Sequence, residues 1–339
     1  MTAPSRLRLD GAALVENWRS LNRLSGAARC GAAVKADGYG TGAREVVRRL
    51  AGAGCRDFFV ATWAEAAALG DCGGDIVVLH GVVGGDVPAG NRSRPALNTR
   101  AQIQRWRDAG GGPCDVMIDT GMNRLGVSPE DVAAGLLDGL AIDTLMSHLA
   151  CADEDVAMNG AQRAAFVALA GQTNARRLSL ANSAGIALGA DYAFDLTRPG
   201  LALYGGVPRR ELADIIRPFM TIEAEILQRR SVPAGAPVGY NATWIAPRDS
   251  EVAIVNLGYA DGYRRAFSDR GTAFAGDVAL PVIGRVSMDL TAIDVTGVDV
   301  GEGDWLAFDP DLAHASAASG VSQYELLTGL GHRFDRVWI

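Results

Sequence analysis

The pattern that most limits how this chain can fold is an alternation, repeated along its first two thirds, between two kinds of segment. Short apolar, β-branched runs alternate with Ala- and Arg-rich segments in which apolar residues recur at helical spacing. Eight such runs interleaved with helix-like segments are typical of a (β/α)8 barrel. The pattern predicts strands at residues 32–36, 57–62, 76–81, 95–99, 115–120, 144–149, 177–182 and 194–197.

The intervening segments predict helices at residues 42–50, 62–69, 100–109, 129–137 and 161–171. After about Pro218 the pattern changes, because TIEAEILQ and SEVAIVNLGYADGY alternate at strand spacing and Gly, Pro and Asp turns separate them. We therefore expect an α/β protein with a TIM-like (β/α)8 barrel at residues 11–217 and a mostly β C-terminal domain at residues 218–339. The strand-like RLRLD within residues 1–10 is expected to join the second domain.

Composition excludes several functional classes. The net charge of −7 argues against binding to nucleic acids or acidic membranes. No apolar run reaches the length of a signal peptide core or a membrane span. The five cysteines are scattered without CxxC spacing and the four histidines show no ligand spacing, so we expect reduced thiols, no metal site and a cytoplasmic protein.

One basic residue stands apart from the rest. Lys35, in AAVKADGYGTG, is the only lysine in a chain whose Lys+Arg total is 32. Arginine stays protonated in proteins, whereas a buried lysine can lose its proton and then act as a base or nucleophile. Its neutral amine can form a Schiff base with a carbonyl, including that of pyridoxal phosphate. The alternative is an ordinary lysine without a special role.

The distinctive polar residues of the first half follow the predicted strands, where the active sites of such barrels lie. They are Lys35, Arg124, His148, Asn182, Ser183 and Arg198.

Two loops suit a phosphate group. The loops after strands seven and eight, ANSAG and RPGLALYG, contain small residues that let a backbone approach an anion, with Ser183 offering a hydroxyl and Gly200 and Leu201 offering amides. Taken singly, NSAG is equally a helix N-cap and RPG a turn. Together with the single lysine on the same rim, they make pyridoxal phosphate the best single explanation.

Eight blocks in this order resemble the alanine racemase family: AAVKADGYG, VMIDTGMNRLG, SHLACADE, ANSAG, TRPGLALYG, VGYNATW, NLGYADGY and GRVSMDL. The resemblance implies a pyridoxal 5'-phosphate barrel followed by a β domain. It also implies an isomerase that interconverts L- and D-alanine through a Schiff base (external aldimine) of substrate and cofactor and supplies D-alanine, in our expectation for peptidoglycan.

The resemblance implies two bases on opposite faces of the substrate. Lys35 would hold the cofactor and act on the D enantiomer, and Tyr240 of a partner subunit would act on the L enantiomer, which requires a homodimer. The implied cofactor contacts are Lys35, Tyr39, His148, Asn182, Ser183, Arg198, Gly200 and Leu201. The implied substrate contacts are Arg124, Met288, Tyr259 and Asp289.

This chain departs from the family in three places. Met117 stands where many members have an often carbamylated lysine, so Arg124 must be held by something else, a bound anion or packing. Thr41 replaces a usual histidine. His332 is the position closest to a phosphate-binding tyrosine that members often have near the C-terminus, and its role is left open.

Other functions remain as alternatives. A broad-specificity or serine racemase would use the same scaffold. A decarboxylase of basic amino acids would share the barrel and the lysine, but such enzymes usually have a reactive cysteine near the C-terminus, and no cysteine follows Cys151. A carrier of pyridoxal phosphate without turnover resembles the barrel alone, and the extra β domain argues against it.

Overall fold

The computed structural model describes residues 4–84 and 93–339. Its first part forms a parallel barrel with helices outside, and its second part a mostly antiparallel sheet. In chain order, the elements up to the last barrel strand are β1 (Ser5–Leu9), which belongs to the second sheet, α1 (Gly11–Leu24), β2 (Arg29–Cys30), β3 (Ala32–Ala33), α2 (Lys35–Tyr39), α3 (Ala43–Ala53), β4 (Asp57–Val60), α4 (Trp63–Leu69), β5 (Asp75–Val78), β6 (Ser93–Leu97), α5 (Arg100–Asp108), β7 (Pro113–Met117), α6 (Pro129–Ala133), β8 (Ala141–Met146), α7 (Ala157–Ala170), β9 (Arg177–Ser179), α8 (Ser183–Ala187) and β10 (Leu196–Thr197).

The barrel is closed by eight parallel strand positions. The sheet runs in the order β3-β4-β5-β6-β7-β8-β9, and β10 pairs with β2. β2 and β3 form one strand position interrupted at Gly31, whose N–H donates to the Thr197 carbonyl. The amide of Arg198 donates to the Ala181 carbonyl and joins β10 to the end of β9. The prediction of an eight-stranded (β/α)8 barrel is therefore confirmed.

Several boundaries differ from the predicted ones, most clearly around Lys35. The first strand ends at Ala33 rather than at residue 36, because the chain turns through Ala36 and Asp37, both with φ of 53°. The Asp37 carboxylate accepts a hydrogen bond from the Ala43 amide and stabilises this turn. Lys35 consequently lies at the rim beyond the strand end, as the first residue of the kinked segment α2. Helix α6 also stops at Ala133, short of the predicted residue 137.

The second part of the chain is a closed, mostly antiparallel sheet, which confirms the predicted β domain. Its strand order is β14-β17-β16-β15-β18-β11-β1-β19, and β11 also pairs with β14. The elements after the barrel are β11 (Met220–Val232), β12 (Pro237–Val238), β13 (Trp244–Ile245), β14 (Ser250–Val255), β15 (Thr272–Ala275), β16 (Val278–Ile283), β17 (Thr291–Asp294), β18 (Trp305–Phe308), α9 (Leu312–Ser319), α10 (Gln323–Thr328) and β19 (Asp335–Trp338).

The first strand of the chain lies in this second sheet. β1 pairs antiparallel with β11, where Leu7 faces Ile222, and parallel with β19, where Leu7 faces Arg336. Leu7 and Leu9 are fully buried, so the apolar face of β1 contributes to the core.

Charged residues fill the barrel interior near the strand starts, a cluster that we call the barrel floor. Its members are Asp57, Arg94, Asp115, Asp143 and Arg177. Arg94 contacts Asp115 at 2.7 Å and Asp143 at 3.0 Å. Arg177 contacts Asp57 at 2.9 Å and Asp143 at 2.6 Å. Burial raises the pKa of Asp115 to about 6, even though Arg94 opposes the shift.

Within residues 4–84 and 93–339, no helix has the length and apolar character needed to cross a lipid bilayer.

Candidate active site

A large cavity opens at the carboxyl ends of the barrel strands. Its volume is about 830 Å³, and its walls come from the loops after the strands and from the segment around α9 and α10. The cavity brings together nine of the residues singled out from the sequence: Lys35, Tyr39, Arg124, His148, Asn182, Ser183, Arg198, Gly200 and Leu201. The other four, which lie in the β domain, are not among its lining residues: Tyr240, Tyr259, Met288 and Asp289.

Lys35 reaches the cavity from the turn that follows β3. The Glu65 carboxylate fixes this turn, since it accepts hydrogen bonds from the amides of Ala36 at 2.8 Å and Ala61 at 2.6 Å. Burial lowers the pKa of the Lys35 amine, and the positive charge of Arg124 lowers it further. No carboxylate of the described residues lies within ion-pair distance of the amine. The surroundings therefore make the Lys35 amine easier to deprotonate than an ordinary lysine.

Ser183 and the loop after β10 form one wall of the cavity. The Ser183 hydroxyl accepts hydrogen bonds from the amides of Gly200 at 3.0 Å and Ala202 at 3.2 Å, which orders this loop. A side chain on Gly200 would lie 2.2 Å from the Tyr39 hydroxyl, so glycine is required for that hydroxyl to approach the loop. We call this wall, formed by Tyr39, Ser183, Gly200 and Leu201, the anion cradle.

Tyr324 is a cavity residue that the sequence analysis did not find. It lies in the first turn of α10 and lines the cavity, whereas exposed His332, the position considered from the sequence, does not. Tyr324 lines the same cavity as the four residues of the anion cradle. Burial raises the pKa of Tyr39, and Tyr324 adds to that shift. Tyr324 therefore faces the anion cradle from the β domain. Nothing local in the sequence around Tyr324, YELLTGL, indicates that its helix packs against the barrel rim.

Arg198 is a buried cation on the cavity wall. Its guanidinium donates to the Ser147 carbonyl at 2.5 Å and to the Ser179 hydroxyl. Burial lowers the pKa of Arg198 to about 10, so the group remains charged at neutral pH. Burial, followed by the charges of Arg198, Arg124 and Lys35, lowers the pKa of His148 to about 3. A neutral imidazole therefore stands beside a fixed positive charge.

The loop that presents Arg124 is held by its own backbone. The Asp119 carboxylate accepts hydrogen bonds from the amides of Gly121 at 2.9 Å and Asn123 at 3.1 Å. The Val127 amide donates to the Met117 carbonyl at 2.9 Å and closes the loop. Met117 is buried and lines the cavity, as a thioether in the position where the family often has a lysine. The Asp119 carboxylate and one backbone hydrogen bond thus order the loop, while the Arg124 side chain itself has no ion pair among the described residues.

The four β-domain residues occupy a separate surface, which we call the β-domain face. Tyr240 lies in the turn between β12 and β13 and is 67% exposed, and Met288 is 54% exposed. The amide of Tyr259 donates to the Ser287 carbonyl at 3.0 Å, which places Tyr259 beside the Met288 loop. Asp289 forms an ion pair with Arg333 at 2.8 Å. None of these side chains reaches the cavity of its own chain.

Comparisons with known proteins agree with this arrangement. Residues 9–208 match the family model of the alanine racemase N-terminal domain, and residues 219–338 match that of the C-terminal domain. Alanine racemase of Acidiphilium cryptum is 42% identical over 98% of this chain and 98% of its own length. The biosynthetic alanine racemase of Agrobacterium fabrum is 40% identical over 99% of this chain and 94% of its own.

A solved structure is similar over the same extent. The crystal structure of alanine racemase from Bartonella henselae with covalently bound pyridoxal phosphate has a TM-score of 0.88, at 33% identity, and covers 99% of each chain. Sequence and structure agree over both domains, and this chain belongs to the alanine racemase family.

Proposed function

We propose that this protein is an isomerase that interconverts L- and D-alanine with pyridoxal phosphate as cofactor. The observation that supports this most strongly is the placement of the only lysine, Lys35, in one cavity with the anion cradle and with buried Arg198. Membership of the alanine racemase family and the similarity to a relative with covalently bound pyridoxal phosphate agree with this function.

The residues present fit the cofactor at both of its ends. The cradle of Tyr39, Ser183, Gly200 and Leu201 offers hydroxyls and a close backbone to a phosphate, and Lys35 offers an amine to an aldehyde. Arg198 would face the ring nitrogen and would donate a hydrogen bond without giving up a proton. When bound, pyridoxal phosphate withdraws electrons from the α-carbon of the amino acid and so makes its proton removable.

Lys35 is proposed as one of two bases. Burial and the nearby charge of Arg124 lower the pKa of its amine, which suits a group that gives up and takes back a proton. We assign it to the D enantiomer. The turn that follows Lys35 is held by Glu65, which accepts a hydrogen bond from the Ala36 amide and so keeps the lysine on one side of the cavity.

Tyr240 is proposed as the second base, acting on the L enantiomer from the opposite side. Its exposed position, away from the cavity of its own chain, suits a residue that completes the site of a partner subunit. We therefore propose a homodimer in which the β-domain face of one chain covers the cavity of the other. Met288, Tyr259 and Asp289 share that face, as substrate contacts at its edge.

Arg124 and His148 are proposed to act inside the cavity. Arg124 has no hydrogen bond or ion pair among the described residues and would bind the substrate carboxylate by a charge-assisted hydrogen bond. His148, neutral and beside Arg198, would link that cation to the phenol of Tyr240. Asn182 shapes the wall below, since its side chain accepts a hydrogen bond from the Gly185 amide.

Three finer points belong to the same proposal. We propose that the D-alanine serves peptidoglycan synthesis, that the enzyme acts in the cytoplasm, and that the chain divides at residues 217 and 218. The pairing of β1 with β11 and β19 supports assigning the first strand to the second domain.

The proposal is tested with purified protein incubated with L-alanine in heavy water. Exchange of the α-proton and formation of D-alanine are expected, and the absence of both would contradict the function. Borohydride reduction followed by peptide mapping should place the cofactor on Lys35. Turnover of a panel of L-amino acids that includes serine separates an alanine racemase from a broad-specificity one.

A further inference from the structure

Helix α10 of the β domain is joined to the loop after β10 by a side chain that neither the sequence analysis nor the proposed function uses. The side-chain amide of Gln323 makes two hydrogen bonds to one residue of that loop. Its Oε1 accepts from the Val207 amide at 2.8 Å, and its Nε2 donates to the Val207 carbonyl at 3.0 Å. These two hydrogen bonds resemble the pair that two residues on neighbouring strands exchange, and they fix both the position and the orientation of the start of the helix.

Gln323 links the loop that carries Gly200 and Leu201 of the anion cradle to Tyr324. Val207 continues the loop that contains Gly200 and Leu201, and the Gly206 amide donates to the Leu201 carbonyl at 3.1 Å. A side chain on Gly206 would lie 2.4 Å from the Leu201 side chain and 3.1 Å from Gln323 Oε1, so the loop is tightly packed at this point. On the other side, Gln323 immediately precedes Tyr324, which faces the cradle.

We propose that Gln323 is a positioning residue that holds Tyr324 over the anion cradle by pairing with the backbone of Val207. The proposal rests on the proposed function, because it concerns the grip on the phosphate of pyridoxal phosphate. Under this proposal, binding of the phosphate depends on contacts from both domains. Gln323 acts through Tyr324 and is not assigned a contact with the cofactor.

Other contacts keep the two domains together when this pairing is lost. The Arg336 guanidinium donates to the Gly40 carbonyl at 2.7 Å, and Gly40 also lies against the backbone of α10 near Leu327. A Ser322–Glu325 capping box stabilises the start of α10 independently of Gln323. Gln323→Ala is therefore expected to fold and to loosen only the position of Tyr324.

The test compares the binding of two probes, pyridoxal phosphate and pyridoxal, which lacks the phosphate. Both are titrated into full-length protein freed of cofactor. Gln323→Ala should weaken the binding of pyridoxal phosphate about tenfold, or about 1.4 kcal/mol, because it removes both hydrogen bonds to Val207. It should leave pyridoxal unchanged. Gln104→Ala, which removes an exposed amide bonded within its own helix, is the matched control and should change neither.

A double-mutant cycle separates a positioning role from a general structural one. Tyr324→Phe alone should weaken pyridoxal phosphate, and Gln323→Ala added to it should cost less than about a factor of two, because the two residues act as one unit. Gln323→Glu keeps the acceptor but loses the donor and should fall between wild type and Gln323→Ala, which provides a second variant if alanine impairs folding.

Each further outcome decides the question. An equal loss for both probes, no loss for either, or a full tenfold loss that persists beside Tyr324→Phe would each overturn the positioning role. A wild-type protein that binds no pyridoxal phosphate would instead contradict the proposed function. The two failures are thereby distinguished.

Discussion

The barrel holds positive charge at both of its ends, but the two ends differ in the groups that surround that charge. At the barrel floor, Arg94 and Arg177 each contact two or more carboxylates. At the rim, Lys35 and Arg124 have no ion pair among the described residues, and Arg198 bonds only to neutral oxygens. Paired cations stabilise the fold, whereas cations without carboxylate partners are available to an anionic ligand.

The largest effect is expected from Lys35→Arg at the rim. Turnover should fall more than about a thousandfold, because a guanidinium remains protonated and cannot attach the cofactor. Unfolding free energy should change by less than about 0.5 kcal/mol, since Lys35 has no ion pair to lose. Racemisation assays and urea unfolding measure the two quantities. If Lys35→Arg lowered the free energy of unfolding but kept turnover, the rim cation would be structural, which would contradict the contrast with the barrel floor.

Arg94→Ala tests the floor in the same way. Its removal leaves Asp115 buried without its closest partner, so unfolding free energy should fall by about 3–5 kcal/mol. Turnover per folded molecule should stay within a factor of about two of wild type. The pair Arg94→Met with Asp115→Leu should recover most of the lost stability in urea unfolding. If Arg94→Ala lowers turnover while stability is retained, the floor is not a purely structural cluster.

Tyr240→Phe tests whether a residue of the partner subunit completes the active site at the rim. The variant should keep the cofactor and lose about a hundredfold or more in the L-to-D direction, since it lacks one of two bases. An equal mixture of Lys35→Arg and Tyr240→Phe, allowed to exchange subunits, should regain about a quarter of wild-type turnover, because half of the dimers then contain one intact site. No recovery in verified mixed dimers would exclude completion by the partner.

The smallest effect concerns the pH dependence of stability. The pKa of His148 is about 3 in the folded chain against 6.5 in its ordinary range, so the unfolded chain binds a proton that the folded one does not. The contribution of His148 to the free energy of unfolding is therefore fully present above pH 6.5 and is lost as the pH falls below that value. His148→Asn should flatten this loss in urea unfolding measured across that range. An unchanged slope would mean that His148 is protonated in the folded protein.

The sequence was sufficient for the barrel because its strands are buried on both faces and therefore appear as apolar runs. It was also sufficient to place Lys35, Arg198 and Ser183 at one rim, since carboxyl ends of parallel strands meet there. The left-handed turn at Ala36 and Asp37 could not be predicted, because alanine disfavours a positive φ and one Asp, which tolerates it better, does not by itself indicate such a turn.

Tyr324 as a cavity residue and the ion pairs of the barrel floor could not be predicted from the sequence, for two different reasons. Tyr324 lies in another domain, and local periodicity does not tell which helix packs on which loop. The floor had a visible signal, since Asp57, Arg94 and Asp115 interrupt apolar strands, but a charge in a strand does not reveal its partner. The loop that presents Arg124 illustrates the same limit, because the Asp119 carboxylate and a backbone bond from Val127 to Met117 order it, and neither contact is visible in the sequence.

The position of β1 has a consequence for how the chain matures during synthesis. This strand is made before any part of the barrel, yet both of its neighbours, β11 and β19, follow the last barrel strand. On the ribosome the barrel can assemble while β1 waits with its apolar residues uncovered, and the second sheet can close only after β19 has emerged. Emergence of β19, rather than completion of the barrel, therefore sets the moment at which the second sheet can close.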